Sequence, residues 1–217
     1  MIKLEIPSKK DQPLNILCLG AHGDDIEIGC GGTILKLLSE KQAVNVYWVV
    51  LGARGLRGKE ARKSANQFLH GAQRKKIVVK GFKDSFFPYV GGEIKEYFER
   101  LKKDVSPEVI FTHFRQDLHQ DHRLVSELTW NTFRDHLILE YEIIKYDGDL
   151  SAPNLFSHLS DKIAREKVKN ILNLFKTQED RGWFSEDSFL SILRLRGLES
   201  NAPDKFAEAF YCRKIIL

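Results

Sequence analysis

The stretch Asn15-Ile16-Leu17-Cys18-Leu19-Gly20-Ala21-His22-Gly23-Asp24-Asp25 runs from a continuous apolar segment into a histidine and two adjacent carboxylates. Its apolar part predicts a β-strand that is covered on both faces, as the strands of a parallel sheet are. Ligands bind at the carboxyl ends of strands in open α/β sheets. The polar residues therefore predict a site at the end of this strand, where His22 and Asp25 could hold a metal and Asp24 could accept a proton.

Further apolar runs alternate with amphipathic stretches along the chain. The strand predictions are Asn15–Leu19, Val44–Leu51, Lys76–Lys80 and Glu108–Thr112. The helix predictions are Thr33–Leu38, Lys59–Leu69, Glu93–Val105 and Asp121–His136. Strands that alternate with helices predict an α/β fold, with a Rossmann-like, mostly parallel sheet and helices on both faces.

The remainder of the chain has a different pattern. A fifth strand is predicted at Leu139–Tyr146, helices at Asp161–Phe175 and Asp187–Leu198, and a terminal strand at Ala207–Leu217. We expect one domain over residues 1–217, with a core at about 12–146. We expect the rest, about 147–217, to form a C-terminal extension of helices and a strand that walls the site.

The composition limits the classes of protein to which this chain can belong. The 217 residues are 42% hydrophobic and 29% charged, which is ordinary for a globular protein, and the net charge is only +4. No basic block is interleaved with aromatic residues, so we expect no nucleic-acid partner. No signal-peptide pattern and no apolar run of about 20 residues is present, so we expect no membrane span. Three scattered cysteines without a C-x-x-C pair predict free thiols in a reducing compartment, the cytoplasm.

A second polar cluster follows the fourth predicted strand. In a doubly wound sheet that starts at its centre, the first and fourth strands are neighbours, and the crevice between their carboxyl ends is the expected site. The chain there reads Thr112-His113-Phe114-Arg115-Gln116-Asp117-Leu118-His119-Gln120-Asp121-His122-Arg123 and contains three of its seven histidines. The topology therefore predicts that the two clusters form one site.

These clusters can supply a complete ligand set. A catalytic zinc ion typically takes three protein ligands and a water molecule. His22, Asp25 and either His119 or His122 would complete such a set, and the spacing leaves open which histidine is the ligand. The other histidine would then reach the substrate, while Asp24 stays free to accept a proton from the activated water. The simpler alternative for Asp24 is an N-cap of the next helix.

The run Gly29-Cys30-Gly31-Gly32 invites comparison with a dinucleotide-binding turn. Its spacing is not G-x-G-x-x-G, the nearby carboxylates would repel a phosphate, and the second strand ends without an acidic residue. We therefore expect no nucleotide cofactor and predict that the glycines allow close packing of a helix against a strand.

Five other residues have less specific assignments. Arg54 and Arg57 follow the second strand and could contact a phosphate or sugar hydroxyls, or could form a solvated basic loop. We expect Arg123 to pair with a carboxylate. We favour His113 as a partner behind a ligand, or as a satisfied histidine at a strand end, over a direct ligand, and we place Asp121 among the supporting residues as well.

At these residues the sequence resembles the PIG-L/LmbE-like deacetylase family, whose zinc-dependent members remove acetyl groups from N-acetylglucosamine-type sugars. Ala21-His22-Gly23-Asp24-Asp25 matches the family motif A-H-P-D-D at four of five positions, and His119-Gln120-Asp121-His122-Arg123 matches H-P-D-H-R at four of five. Both departures replace proline and remove no ligand. Weaker matches around Arg57–Glu60 and Phe82–Asp84, and in late segments, extend the resemblance over most of the chain.

The resemblance implies an LmbE-like fold and one Zn²⁺ per chain, held by His22, Asp25 and His122. It makes Asp24 the general base and His119 the group that stabilises the tetrahedral intermediate or protonates the leaving amine. The expected activity is hydrolysis of the acetamide of an N-acetylated amino sugar or sugar conjugate, a small-molecule substrate, with a protonated His119 holding the oxyanion.

Other functions share parts of this pattern. A zinc amidase acting on a non-sugar or lipid-linked N-acyl substrate would carry the same motifs, whereas a non-catalytic sugar- or nucleotide-binding protein would need no stoichiometric metal. The intact base and ligand positions argue against a non-catalytic descendant of the family. The run Phe86-Phe87-Pro88-Tyr89 could line a sugar pocket, pack in the core or form an interface, and exposed aromatic loops would permit a homo-oligomer.

Overall fold

Strands and helices alternate along most of the chain in the computed structural model, which describes residues 1–6, 12–40 and 43–216. The strands are β1 (Leu14–His22), β2 (Val44–Gly52), β3 (Arg74–Val79), β4 (Val109–His113), β5 (Leu137–Tyr141), β6 (Leu155–Leu159) and β7 (Phe206–Cys212). The α-helices are α1 (Asp25–Glu40), α2 (Gly55–Phe68), α3 (Gly91–Asp104), α4 (Gln120–Thr132), α5 (Asp161–Leu174) and α6 (Glu186–Glu199). Short 3-10 turns occupy Phe87–Val90 and Lys176–Gln178.

All of these strands belong to one sheet, in the order β3-β2-β1-β4-β5-β7-β6. The strand β1 pairs in parallel with β2 and β4, so the winding direction reverses beside β1, as the doubly wound pattern predicts. The pairs β2–β3 and β4–β5 are also parallel, whereas β7 is antiparallel to both β5 and β6. The predicted mostly parallel α/β sheet is confirmed, and the carboxyl ends of β1 and β4 lie side by side.

Helices cover both faces of the sheet, and alternate residues of β1 point to the two sides. Ile16 and Cys18 belong to a core shared with α1, α2, α5 and α6. Leu17 and Leu19 belong to a second core shared with α3 and α4. All four side chains are buried, which explains why β1 is a continuous apolar run rather than an alternating one. His22 therefore ends a strand that is packed on both sides.

The helix α1 begins at Asp25, eight residues before the predicted start at Thr33, and the glycine run lies inside it. A Cβ atom on Gly29 would lie 2.1 Å from the ring of Tyr141, and one on Gly31 would lie 2.7 Å from the ring of Phe68. Gly29 thus packs closely against strand β5, as predicted, whereas Gly31 packs against helix α2 rather than a strand.

Several predicted elements end elsewhere in the structure. β5 ends at Tyr141 rather than Tyr146, because its partner β4 ends at His113. α4 ends at Thr132 rather than His136, because Phe133 leaves the helical conformation and is buried. The terminal strand ends at Cys212, the last residue that pairs with β5, rather than at Leu217. Residue 217, the last of the predicted strand, lies outside the described residues. The edge strand β6, with mostly half-buried side chains, was not predicted.

The C-terminal extension is built onto the same sheet and onto α1. Lys167 on α5 and Glu208 on β7 form a buried ion pair, with Nζ and Oε1 2.6 Å apart. The two carboxylate oxygens of Glu208 also accept hydrogen bonds from the main-chain N–H groups of Gly32 and Thr33, at 2.7 and 2.6 Å. The extension thereby fixes the helix that begins with Asp25. Within the described ranges, no helix has the length and apolarity needed to cross a membrane.

Candidate metal centre

The two polar segments meet at the carboxyl ends of β1 and β4, as the topology predicts. His22 is the last residue of β1 and Asp25 is the first residue of α1. His119 is the N-cap of α4, and His122 lies in the first turn of that helix. The side chains of His22, Asp24, Asp25 and His122 are buried, whereas His119 is half-buried.

Three side chains place donor atoms around one point. His22 Nδ1 and His122 Nε2 are 3.1 Å apart. Asp25 Oδ2 lies 3.5 Å from His22 Nδ1, and the other carboxylate oxygen, Oδ1, lies 3.6 Å from His122 Nε2. Donor atoms around a tetrahedral ion with bonds of about 2.1 Å are about 3.4 Å apart. The three spacings therefore fit a single divalent ion such as zinc, and three protein ligands leave a fourth position for water.

The other ring nitrogen of each histidine meets a carboxylate. His22 Nε2 lies 3.1 Å from Asp121 Oδ2 and 3.2 Å from Asp84 Oδ1. His122 Nδ1 lies 3.0 Å from Asp117 Oδ2. A carboxylate on the far nitrogen of a metal-binding histidine fixes the tautomer and the ring orientation. Both rings can therefore present an unprotonated nitrogen to the same point, Nδ1 in His22 and Nε2 in His122.

Carboxylates outnumber cationic side chains around this point. The carboxylates are those of Asp24, Asp25, Asp84, Asp117 and Asp121. Arg57 Nη1 lies 2.8 Å from Asp84 Oδ2, and Lys145 Nζ lies 3.1 Å from Asp117 Oδ2. Buried negative charge is costly unless a cation neutralises it. The charge of the donor set, like its spacing, fits a divalent cation.

Two of the three donors, His122 and Asp25, have the protonation states that metal binding requires. Burial and the neighbouring His113 lower the pKa of His122 to about 3, so its ring is neutral. Burial alone would raise the pKa of Asp25, but the imidazoles of His122, His113 and His22 hold it well below its usual range. Neutral imidazole and ionised carboxylate are the forms that bind metals. Burial would lower the pKa of His22, but Asp25 and the other carboxylates raise it well above its usual value, so a metal that binds at Nδ1 would have to displace a proton.

Asp24 and His119 flank the three donors. Burial and the charge of Asp25 raise the pKa of Asp24 to about 6, while Arg57, whose Nη2 is 3.9 Å from Asp24 Oδ1, acts in the opposite direction. His119 Nδ1 accepts a hydrogen bond from the main-chain N–H of Asp121 at 3.2 Å, so the neutral ring carries its proton on Nε2. Burial and the nearby His22 lower the pKa of His119. Both observations favour a neutral His119 that offers its Nε2–H group, whereas the expectation from the sequence was a protonated ring.

His113 lies behind the donors. Its Nε2 is 2.9 Å from the main-chain N of Ala21, from which it accepts a hydrogen bond, and 3.2 Å from Asp25 Oδ2. Its ring stacks on that of His122 with centroids 4.0 Å apart. The hydroxyl of Tyr141 lies 3.3 Å from the same Nε2. His113 is therefore buried against both Asp25 and His122, and these three side chains form a further group whose donor atoms could hold a metal.

The three predicted arginines occupy different positions. Arg57 reaches the site through Asp84, whereas Arg54 is exposed and donates to the main-chain carbonyl of Gly81. Arg123 donates from Nη1 to the main-chain carbonyls at positions 117 and 118, at 3.2 and 2.5 Å. The expected pairing of Arg123 with a carboxylate is wrong, because the loop before α4 turns these carbonyl groups towards it.

Asp84, Asp117 and Lys145 were not predicted as part of the site. Asp84 reaches His22 because the chain bends at Ser85, where φ is 67° and the main-chain N–H donates to Asp121 Oδ2 at 2.7 Å. Asp84 and Asp117 both follow strands that end at the same edge of the sheet, and this position is the feature of the sequence that could have indicated them as site residues. Lys145 had no such signal, since the sequence placed it inside a strand.

The aromatic run after Ser85 divides between core and surface. Phe87 is buried, and its ring centroid lies 5.9 Å from that of His22. Phe86 and Tyr89 are exposed, with ring centroids 5.8 Å apart. Phe87 therefore packs in the core, which is one of the roles expected for this aromatic run. Phe86 and Tyr89 remain accessible beside the site.

Solved structures share this fold. The N,N'-diacetylchitobiose deacetylase from Pyrococcus horikoshii, in complex with its inhibitor MPG, is 21% identical with a TM-score of 0.67, over 94% of this chain and 85% of that chain. A deacetylase triple mutant from the teicoplanin biosynthetic pathway is 16% identical with a TM-score of 0.70, over 91% and 97%. GalB, the 4-carboxy-2-hydroxymuconate hydratase from Pseudomonas putida KT2440, is 15% identical with a TM-score of 0.62, over 94% and 98%. These likenesses show the LmbE-like fold, which serves more than one reaction.

The sequence itself matches a family model. The model for PIG-L, described as GlcNAc-PI de-N-acetylase, matches residues 17–133. That range is more than half of the chain and contains both polar segments of the candidate metal centre. The chain therefore belongs to the PIG-L family.

Proposed function

We propose that the chain is a zinc-dependent N-deacetylase that hydrolyses the acetamide of an N-acetylated amino sugar or sugar conjugate. The observation that carries the proposal is the convergence of donor atoms from His22, Asp25 and His122, two of which interact electrostatically with the carboxylate of Asp24. Membership of the PIG-L family supports the reaction, and the two similar deacetylases support it as well. The three free thiols, two of them buried, support a reducing cytoplasmic location.

We assign one metal ion per chain to His22, Asp25 and His122, although a His119 nitrogen also lies within 4.8 Å of donor atoms of His22 and His122. The hydrogen-bond partners favour His122. Its Nδ1 faces the carboxylate of Asp117, which strengthens Nε2 as a donor, whereas His119 Nδ1 faces a main-chain N–H group. His119 is also the more exposed ring, as a group that meets substrate must be.

The proposed reaction adds water to the amide and releases acetate and the free amine. The metal, when bound, would lower the pKa of a water molecule and polarise the amide carbonyl. Asp24 accepts the proton of that water, because a carboxylate with a pKa of about 6 is ionised at neutral pH and still basic. His119 donates its Nε2–H to the carbonyl oxygen as negative charge develops there. The proton taken by Asp24 then passes to the departing nitrogen.

Acetate release tests this proposal. Zinc-loaded protein is incubated with a panel of N-acetylated sugars, sugar conjugates and non-sugar N-acyl amides, and acetate or the corresponding acid is measured. The proposal expects acetate from at least one sugar substrate. Acid from the other amides alone would favour the zinc amidase alternative. A reaction of the hydratase type adds water to a carbon–carbon double bond and releases no acetate.

The matched variants are Asp24→Asn and Asp135→Asn, which change a site carboxylate and an exposed one. Asp24→Asn should retain stoichiometric zinc and lose turnover by about 10²–10⁴-fold, since it removes the general base. Asp135→Asn should retain both. Undiminished acetate release by Asp24→Asn would contradict the mechanism.

A further inference from the structure

We propose that Lys145 is a positioning residue that sets the metal affinity of this centre by holding Asp117 against His122. The inference rests on the metal centre proposed above. Lys145 lies in the loop after β5 and outside residues 17–133, the range that the family model matches. The contact is therefore made by a part of this chain beyond the two polar segments.

One ammonium group holds two buried carboxylates together. Lys145 Nζ lies 3.1 Å from Asp117 Oδ2 and 2.5 Å from Asp149 Oδ2. The side chains of Asp117, Asp149 and Lys145 are 2%, 8% and 10% exposed. Two buried carboxylates that share one cation repel each other once that cation is removed. Lys145 therefore holds the two carboxylates close together.

Both carboxylates hold the segment that carries the candidate ligand. Asp117 Oδ2 meets His122 Nδ1 at 3.0 Å, and Asp117 Oδ1 accepts the main-chain N–H of His119 at 2.8 Å. Asp149 Oδ2 accepts the main-chain N–H of Leu118 at 2.8 Å. The orientation of the His122 ring and the path of residues 117–119 thus depend on the charged pair that Lys145 maintains.

Lys145 acts on a bound cation in two opposite ways. Its charge repels the cation, while its ion pair keeps Asp117 on His122. We expect positioning to dominate, because Asp117 stands between Lys145 and His122 and because removal of Lys145 leaves two uncompensated buried charges. Loss of a carboxylate that orients a ligand histidine typically lowers metal affinity about 10–100-fold, and we expect Lys145→Met to fall in that range.

Zinc affinity, measured by competition with a chromogenic chelator, tests the proposal without reference to turnover. The variants are Lys145→Met, the double variant Lys145→Met/Asp149→Asn, and Lys36→Met as the control. Lys36 donates to the main-chain carbonyl of His158 at 3.0 Å and should be neutral for zinc binding. The double variant lacks the repulsion between the two carboxylates, so it should recover at least half of the lost affinity on a logarithmic scale. A purely structural role for the lysine side chain predicts no such recovery.

Each outcome decides one question. Lys145→Met that binds zinc as tightly as the wild type, or more tightly, would overturn the inference, as would a double variant without recovery. If Lys145→Met does not fold, the double variant alone decides. A zinc affinity of the double variant within about five-fold of the wild type would support the inference, and a weaker affinity would refute it. Wild-type protein that binds no stoichiometric zinc would contradict the proposed function itself.

Discussion

Replacing Gly29 by alanine would add one methyl group where α1 meets Tyr141. That Cβ would lie 2.1, 2.4 and 2.8 Å from three ring carbons. Carbon atoms in contact are about 3.5–4.0 Å apart, so the helix or the ring must move by about 1.4 Å or more. Tyr141 is fully buried and donates from its hydroxyl to the main-chain carbonyl of Leu19 at 2.6 Å, so the ring cannot turn away freely.

The expected cost follows from these contacts. Overpacking a core costs about 1–3 kcal/mol, and loss of the Tyr141 hydrogen bond adds about 1 kcal/mol. The better helix propensity of alanine offsets about 1 kcal/mol. Gly29→Ala should therefore lower the free energy of unfolding by about 1–3 kcal/mol. It should also weaken zinc binding, because the displaced helix begins with Asp25.

The matched control is Gly92→Ala in the first turn of α3, where an added Cβ has no heavy atom within 4 Å of it. This variant should be more stable than the wild type, by up to about 1 kcal/mol. Urea unfolding followed by circular dichroism gives both values. A Gly29→Ala protein as stable as the wild type would refute the packing argument, since the close contacts with Tyr141 would then cost no more than the gain in helix propensity.

Three further predictions concern charge and metal. Arg57→Met should move the acid limb of the pH profile of kcat/KM to higher pH. Arg57 opposes the rise in the pKa of Asp24, and Asp24 must be ionised to act as the base. An acid limb that stays in place or moves to lower pH would contradict this. Lys167→Met should lower the free energy of unfolding by about 3–5 kcal/mol and the Tm by about 6–20 °C, because it leaves Glu208 buried without its cation. An unchanged thermal unfolding curve would show that the ion pair is not needed for stability. Chelation of zinc that is present at 100 times its Kd should remove about 2.7 kcal/mol of stability, or about 5–11 °C in Tm, and an excess of zinc should restore it.

The sequence was sufficient for the parallel part of the sheet and for the meeting of the two polar segments. A continuous apolar run predicts β1, the alternation of strands and helices predicts parallel pairing, and the reversal of winding places β4 beside β1. The meeting of the segment that carries His22 with the segment that carries His119 and His122 follows from these rules, although they do not decide which of the two histidines approaches His22.

Features that depend on contacts between loops could not be predicted in this way. Lys145 reaches Asp117 only because β5 ends at Tyr141 and the following loop turns back, and neither residue type nor spacing indicates that path. The early start of α1 was missed because glycines weaken helix propensity, while the packing that favours them involves Tyr141 and Phe68 from other elements. The neutral state of His119 likewise depends on burial rather than on sequence.

The distance along the chain between the donors has a consequence for folding. His22 and His122 are 100 residues apart in sequence, and their ring nitrogens meet only after β1 and β4 have paired. Closing a loop of that length in an unfolded chain costs about 4 kcal/mol in entropy. The unfolded protein should therefore bind zinc far more weakly than the native one, and metal uptake during refolding would report the docking of the two central strands. A time-resolved zinc indicator could then follow that single step.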